Sequence, residues 1–427
     1  MKRSLDYWLP NPLSLLGIIT IILLSISCYI TSFAGTINSW MNGYLGFIHY
    51  TMQAILVFLS GYMVAIAPPV AKMINKVASI PKTVQSTILV LCITSAILTT
   101  INWVLPIVAG GLLANAVTNR FPEVPKRIFV VAGISGFALM HIGLSATIAL
   151  LSNTPGHMYE NIIGLVPITN TIFSFKANII RLVLPLVFAG ICILQVPKHL
   201  RKSEGGCLSY IRPFYKDEPE RTFASFFDST YFLNVVFSFI CLLAITFLIK
   251  SGSFSWNLNT QIITVLGISL LLYKNPTAYS DNMKTAIHSI SGMILQYPLY
   301  GALQAVLISS GLAIILSNAL VAISSINTLQ PLTYLGFILG SIPLPSAVGS
   351  WTVQGIVFIN TALELGVSVS DLIVTVGMTK GLWFLICPFW TLPILIVTGI
   401  SYVDLIRSSF PLFISGSIAF LCIIYIL

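Results

Sequence analysis

Apolar stretches of about 20 residues alternate with short basic clusters along most of this chain. That length matches the ~20 residues a helix needs to cross a bilayer. The stretches are continuous and lack the period-two alternation of a membrane barrel, so helices are predicted. The first spans cover about 12–35 and 45–67. The first apolar run, Leu13 to Ala34, is longer than a signal-peptide core and has no convincing cleavage site, so it reads as a span. Lys72, Lys76 and Lys82 follow span two, and Arg120, Lys126 and Arg127 close the next stretch, 83–119, which carries no charge over 37 residues. Basic residues mark cytoplasmic ends. Both flanks then lie inside, and the stretch crosses an even number of times. Broken by Asn102, Pro106 and Gly110-Gly111, it is too short for two spans and a turn. It predicts a re-entrant hairpin, tolerated where it is buried in protein or lines a cavity.

Further on, about 128–152 crosses outward, 153–176 is an outer segment turning at Thr154-Pro155-Gly156, and about 177–196 returns. The polar loop 197–231 holds Lys198, Arg201, Lys202, Arg212, Lys216 and Arg221 and is placed in the cytoplasm. Spans at about 232–250 and 259–273 go out and back, ending at Lys274 and Lys284. Residues 285–363 carry no formal charge over 79 positions. They divide into a span (about 285–309), an interfacial piece (about 311–326) and a second hairpin (about 329–363), broken by Pro331, Gly340, Pro343, Pro345 and Gly349. Glu364 and Asp371 mark the outer surface, a run at about 371–399 comes in, Arg407 marks the inside, and a last span at about 408–427 goes out. By this assignment 17 of the 21 Lys and Arg lie inside.

The two halves repeat with opposite starting sides. The predicted organisation is an N-terminal membrane repeat, 1–196, with its hairpin at about 83–119, then the cytoplasmic loop 197–231. A connecting span and outer loop, 232–258, leads to a C-terminal inverted repeat, 259–427, with its hairpin at about 329–363. The fold class expected is an all-α polytopic membrane protein of about nine full spans and two hairpins. Inverted repeats with discontinuous helices are a hallmark of secondary transporters.

Composition agrees. Of 427 residues, 56% are hydrophobic and only 8% charged, against ~25% charged in a soluble domain. The net charge of +9 sits in short clusters between apolar runs, the pattern of orientation signals, so no nucleic-acid partner is expected. Six of the seven cysteines lie inside apolar runs, and Cys207 alone lies in a polar loop. They read as small hydrophobes rather than disulfides or metal ligands. The sequence has no CxxC, HExxH or GxxxxGK[ST], so no metal, cofactor or ATP-driven chemistry is expected.

Candidate chemistry lies at the helix breaks. Hairpin one has Asn102-Trp103 and hairpin two has Ser346 to Ser350-Trp351. The spans after them carry Gly143-Leu144-Ser145-Ala146-Thr147 and Gly377-Met378-Thr379-Lys380-Gly381. Glycine permits a helix break, and hydroxyls and freed amides there can hold an anion. Small residues also serve plain helix packing. The substrate-binding candidates are therefore Asn102, Trp103, Ser145, Thr147, Ser346, Ser350, Trp351, Thr379 and Lys380. Lys380 lies nine residues past Asp371, ~14 Å deep at 1.5 Å per residue. An ionisable group at that depth points to function. It pairs with a substrate carboxylate, stands where a coupling cation would otherwise sit, or holds backbone carbonyls at a break. His141 is a candidate proton carrier or a satisfied interior histidine. Trp103, Trp351, Trp383 and Trp390 line a site or pack. No Asp or Glu falls clearly within a span, and no catalytic set emerges.

The chain resembles the short-chain fatty acid transporter family, within the ion transporter superfamily. The resemblance runs in order from Trp8-Leu9-Pro10-Asn11-Pro12-Leu13 through Met52-Gln53-Ala54, Gly61, Ile101-Asn102-Trp103 and Gly143-Leu144-Ser145. It continues through Thr154-Pro155-Gly156, Gly164-Leu165-Val166-Pro167, Gln296-Tyr297-Pro298 and Tyr300-Gly301. It ends at Pro345-Ser346, Trp351, Gln354-Gly355, Pro388-Phe389-Trp390 and Leu392-Pro393. The resemblance implies uptake of short-chain carboxylates such as butyrate or acetoacetate across a bacterial inner membrane. It also implies an elevator-like motion and a homodimer. The chain departs from the family where Gly-Gly-Gly-His becomes Ala347-Val348-Gly349-Ser350 and Asn-Trp-Gly becomes Asn102-Trp103-Val104. A polar, acidic stretch becomes Lys380–Cys387. The reading is a secondary carrier of a small carboxylate by alternating access, with the N-terminus in the cytoplasm and the C-terminus outside. The coupling ion, proton or sodium, stays open. The alternatives are a carrier of another organic anion, such as a dicarboxylate or an amino acid, and less readily a membrane-embedded enzyme or a channel.

Overall fold

The structure, a computed structural model, describes residues 12–205, 222–288, 290–341, 344 and 346–426. Lys2, Arg3, the Trp8–Asn11 string, Cys207, Arg212, Lys216, Arg221, Pro343 and Pro345 lie outside the described residues. The described residues are helical, with one isolated bridge between Thr83 and Glu204 as their only β-type pairing. They form two compact units, each assembled from separate chain segments.

Unit one takes residues up to Ile55, Thr147–Thr171 and Ile290–Lys380. Its longer helices are Pro12–Ile30, Phe33–Gly46, Ser291–Ser309, Leu312–Ile323, Leu329–Gly340 and Ala347–Leu365. Phe33–Gly46 and Ser291–Ser309 cross at two glycines. A Cβ on Gly43 would stand 2.5 Å from the Gly301 carbonyl oxygen, and one on Gly301 would stand 2.4 Å from Phe47 Cβ. Only bare backbone allows that approach, the packing logic of small residues in membranes. Leu329–Gly340 ends at Ser341, and Ala347–Leu365 starts afresh with Ser346 as N-cap, its Oγ accepting from Gly349 N at 3.2 Å. Gly366, at φ +68°, ends that helix in the left-handed region.

Unit two takes Leu56–Ala146, Ile172–Ser289 and residues from Gly381 on. Val84–Ile101 opens with a capping box in which Thr83 and Ser86 exchange backbone-to-hydroxyl bonds. It stops at Asn102, whose φ and ψ are extended, and the chain continues through a wide π turn at Pro106–Gly110 into the helix Gly111–Thr118. Lys126–Ile134 continues as a 3₁₀ segment, Ser135–Ile142, which ends at an extended Gly143. Phe175–Gln195, capped by Ser174, packs along Tyr402–Ile426, where Gly416 leaves room for the Phe188 ring. Phe232–Lys250 packs on Leu258–Leu271 through Gly267, whose carbonyl accepts from Ser238 Oγ at 2.7 Å. Its remaining faces are almost wholly exposed and apolar, which suits lipid as solvent.

Among the described residues, six helical stretches are long and apolar enough to cross a membrane: 33–65, 84–101, 126–152, 175–195, 232–250 and 402–426. A seventh arises if the pair 294–309 and 312–323, bent by 75°, counts as one span. Several predicted elements differ in detail. The segment between the first two spans is helix Phe33–Gly46, continuing almost directly into Ile48–Ala65. Polar residues 276–288 form a helix rather than a loop. The inward run at 371–399 is two helices, Val369–Phe384 and Pro388–Thr398. Its break falls at 385–387, not at the Gly377–Gly381 cluster, which stays helical.

Candidate functional site

The predicted residues fall into two centres, one within each unit. In unit two, the break after Ile101 brings Asn102, Trp103 and Ser145 together. Val104 N donates to Asn102 Oδ1 at 2.9 Å, closing a turn that mimics backbone. Trp103 N donates to Ser145 Oγ at 2.8 Å, and Leu144 N to the Thr100 carbonyl at 2.8 Å. Two glycines let the 135–146 segment lie directly on helix 84–101. A Cβ on Gly136 would stand 2.2 Å from the Ser95 carbonyl, and one on Gly143 2.5 Å from that of Thr99.

The second break, 143–146, has its own supports. Arg181 Nη2 donates to the carbonyls of Ile142 at 2.5 Å and Ile172 at 2.8 Å, and Trp256 Nε1 donates to that of Leu144 at 2.8 Å. Freed carbonyls within a membrane protein need such donors. Arg181 was not singled out from the sequence. Its signal was a cation inside the apolar run that follows the break.

Two donors at the first break have no acceptor among the described residues. Since a backbone N–H already binds Asn102 Oδ1, the amide's orientation is set, and its Nδ2 is the buried atom left without a partner. Trp103 Nε1 is likewise buried and unpartnered. An unpaired buried polar group costs about 1–3 kcal/mol. The Trp103 ring meets Phe58 at 5.4 Å and Trp390 edge-on at 5.6 Å. Phe384 stands 5.2 Å from Trp390 and 5.5 Å from Phe137. Consecutive N–H donors thus sit beside a cluster of aromatic rings. His141, buried in the 3₁₀ segment, lies against Phe384 at 6.0 Å between rings. Of the tryptophans named from the sequence, Trp103 and Trp390 join this cluster. Trp383 packs on Phe413 instead.

In unit one, the break at 341–346 gathers Ser346, Ser350 and Lys380. Lys380 is fully buried, and its Nζ donates to Ser341 Oγ at 2.7 Å, Ser350 Oγ at 2.7 Å and the Leu344 carbonyl at 3.0 Å. Ser346 Oγ donates to the Tyr297 hydroxyl at 3.2 Å. Trp351 is also fully buried but packs edge-on to Tyr159 at 5.8 Å, and the Tyr159 hydroxyl reaches the carbonyl of Thr352 at 2.7 Å. Thr379 Oγ1 donates to the Thr375 carbonyl of its own helix at 2.7 Å, and Thr147 opens the short helix Thr147–Ser152. Trp351 and Thr379 are thus held by packing and by their own helix. No group of three or more His, Cys, Asp or Glu that could hold a metal occurs among the described residues.

Long apolar helices with buried polar breaks after Ile101, at Gly143 and after Gly340 define a polytopic membrane protein with the ingredients of a solute site. The chain belongs to the short chain fatty acid transporter family, whose model matches residues 1–427. It is 25% identical over 410 residues to a protein of Escherichia coli (strain K12) described as a "Putative short-chain fatty acid transporter", covering 95% of this chain and 93% of that one. A Haemophilus influenzae protein of the same description is 23% identical over 417 residues, with the same two coverages. Among solved structures, the YdaH transporter of Alcanivorax borkumensis matches with a TM-score of 0.64 at 15% identity over 98% of both chains. MtrF of Neisseria gonorrhoeae, described as illuminating a class of antimetabolite efflux pumps, matches with a TM-score of 0.60 at 12% identity. It is covered over 95% of its length and this chain over 98%. At these identities the likeness concerns the fold. The protein is thus a multi-pass membrane protein of a transporter family, acting on a small-molecule substrate in a lipid bilayer.

Proposed function

We propose that the protein is a secondary active transporter that moves a small monocarboxylate, such as butyrate or acetoacetate, across the inner membrane by alternating access. One observation carries this reading: Asn102 Nδ2 and Trp103 Nε1 are buried N–H donors without acceptors, next to a nest of aromatic rings. A carboxylate supplies the acceptors, since its two oxygens accept and do not donate. The rings of Phe58, Phe137, Phe384 and Trp390 suit a short alkyl chain, whose transfer from water is favourable by about 0.8 kcal/mol per CH₂. The inverted repeat with its two hairpins, a homodimeric assembly and a cytoplasmic N-terminus belong to the same proposal. No cofactor is invoked.

Counterflow in proteoliposomes tests it. Vesicles preloaded with unlabelled butyrate should accumulate labelled butyrate transiently through the wild-type protein. Trp103→Phe keeps the ring and removes the N–H, and Asn102→Leu removes both polar atoms. Each should raise the half-saturating concentration by roughly 5- to 100-fold, the equivalent of one buried polar partner. Flat traces for wild-type protein with butyrate and acetoacetate alike would end the monocarboxylate reading and move attention to dicarboxylates and amino acids.

A further inference from the structure

Lys380 stands in surroundings built for a cation. Three oxygens lie within 3.0 Å of its Nζ: the hydroxyls of Ser341 and Ser350 and the carbonyl of Leu344. All three belong to the interruption between helices Leu329–Gly340 and Ala347–Leu365 or to its first turn. Both hydroxyls have turned their own protons elsewhere. Ser350 Oγ donates to the Leu344 carbonyl at 2.9 Å, and Ser341 Oγ donates to that of Phe337. Each therefore presents only lone pairs to the ammonium. Hydroxyl and main-chain carbonyl oxygens are the ligands of hard cations, and freed carbonyls of broken helices are where carriers hold them. An ammonium is itself a compact point charge. The site is wholly buried, so Lys380 is no surface charge that happens to find partners.

We propose that Lys380 is a tethered cation: its ammonium fills a monovalent-cation site at the 341–346 break, so the protein needs no sodium ion there. This rests on the carrier reading above and adds to it. A mobile cation at this break would tie solute movement to its gradient. A tethered one keeps the two half-helices joined in every state, and the driving force must enter elsewhere.

The test is cation rescue in the full-length protein in lipid nanodiscs. Wild type, Lys380→Ala and Lys380→Met are melted in sodium chloride, ammonium chloride and N-methylglucamine chloride at equal ionic strength. Wild type should melt alike in all three. Lys380→Ala should melt lowest in N-methylglucamine and regain about 2–5 °C, saturably, with sodium or ammonium, the rise expected near 100 times the dissociation constant. Lys380→Met refills the space with an apolar stem and should gain nothing. The proposal is overturned by a Lys380→Ala protein indifferent to the cation, or one that aggregates equally in sodium and N-methylglucamine. The melts need no substrate. Cation rescue with failed butyrate counterflow would remove the carboxylate reading and leave the tethered cation, and the opposite pair of results would do the reverse.

Discussion

Asn102 keeps its position because residue 61 has no side chain. A Cβ on Gly61 would stand 2.3 Å from Asn102 Oδ1 and 2.6 Å from its Nδ2. Gly61→Ala should therefore displace the Asn102 amide, break its turn with Val104 N, and cost about 1–3 kcal/mol as an overpacked site. The double variant Gly61→Ala with Asn102→Ala should recover most of that loss, because the clash partner is gone. A thermal-melt double-mutant cycle reads the coupling, and additive losses would disprove the contact. The sequence made Asn102, Trp103, Ser145 and Lys380 visible, because polar groups beside Gly and Pro in apolar runs are rare enough to stand out. It could not display Ser341 or the Leu344 carbonyl, and it showed Gly61 only within the family resemblance, without its contact to Asn102. Their roles depend on a partner far along the chain, and nothing local distinguishes them from ordinary small residues or backbone. Thr379 shows the converse: it stood out by position, yet its hydroxyl is satisfied by its own helix.

Elements were legible where hydropathy and interruptions coincide, as in Val84–Ile101 with its stop at Asn102 and in the paired helices around 341–346. They were illegible where tertiary packing decides. Residues 36–44 fall between the first two predicted spans, but they belong to helix Phe33–Gly46, whose small residues let it lie against Ser291–Ser309. Gly377–Gly381 suggests a break, yet Gly381 serves close approach: a Cβ there would stand 2.1 Å from the Ala138 carbonyl. The segment around His157 adds a pH dependence. Tyr159 N donates to His157 Nδ1 at 3.3 Å, so His157 Nε2 carries the proton bonded to the Gly164 carbonyl at 3.0 Å. Burial holds the His157 pKa below its ordinary value, against opposing effects of that carbonyl and of Glu160. The folded state then binds fewer protons than the unfolded chain in mildly acid solution. Its contribution is complete above pH ~6.5 and is lost as pH falls through the lower folded value. Wild-type protein should lose melting temperature over that window, and His157→Gln should lose less. Equal slopes for the two proteins would show that His157 binds its proton equally in the folded and unfolded states.

At the scale of the whole molecule, charge placement sets orientation. The basic residues Lys198, Arg201 and Lys202 precede helix Phe232–Lys250, and the segment 251–257 follows it. That helix is long and apolar enough to cross once, and a single crossing would put its two flanks on opposite sides. Basic residues favour the cytoplasm, which predicts Lys202 inside and Ser253 outside. Both side chains are exposed. A cysteine placed at either position should react with a membrane-impermeant maleimide from one side only: Lys202→Cys in inside-out vesicles, Ser253→Cys in intact spheroplasts. The wild-type protein, with its native cysteines, gives the background. A reversed pattern would invert the orientation of the entire chain and put the Lys380 break on the opposite path. Reaction of both cysteines from one side would mean that 232–250 does not cross. Opposed orientation of the two halves would then fail as well, because a single crossing between them is what lets the second half start from the other face.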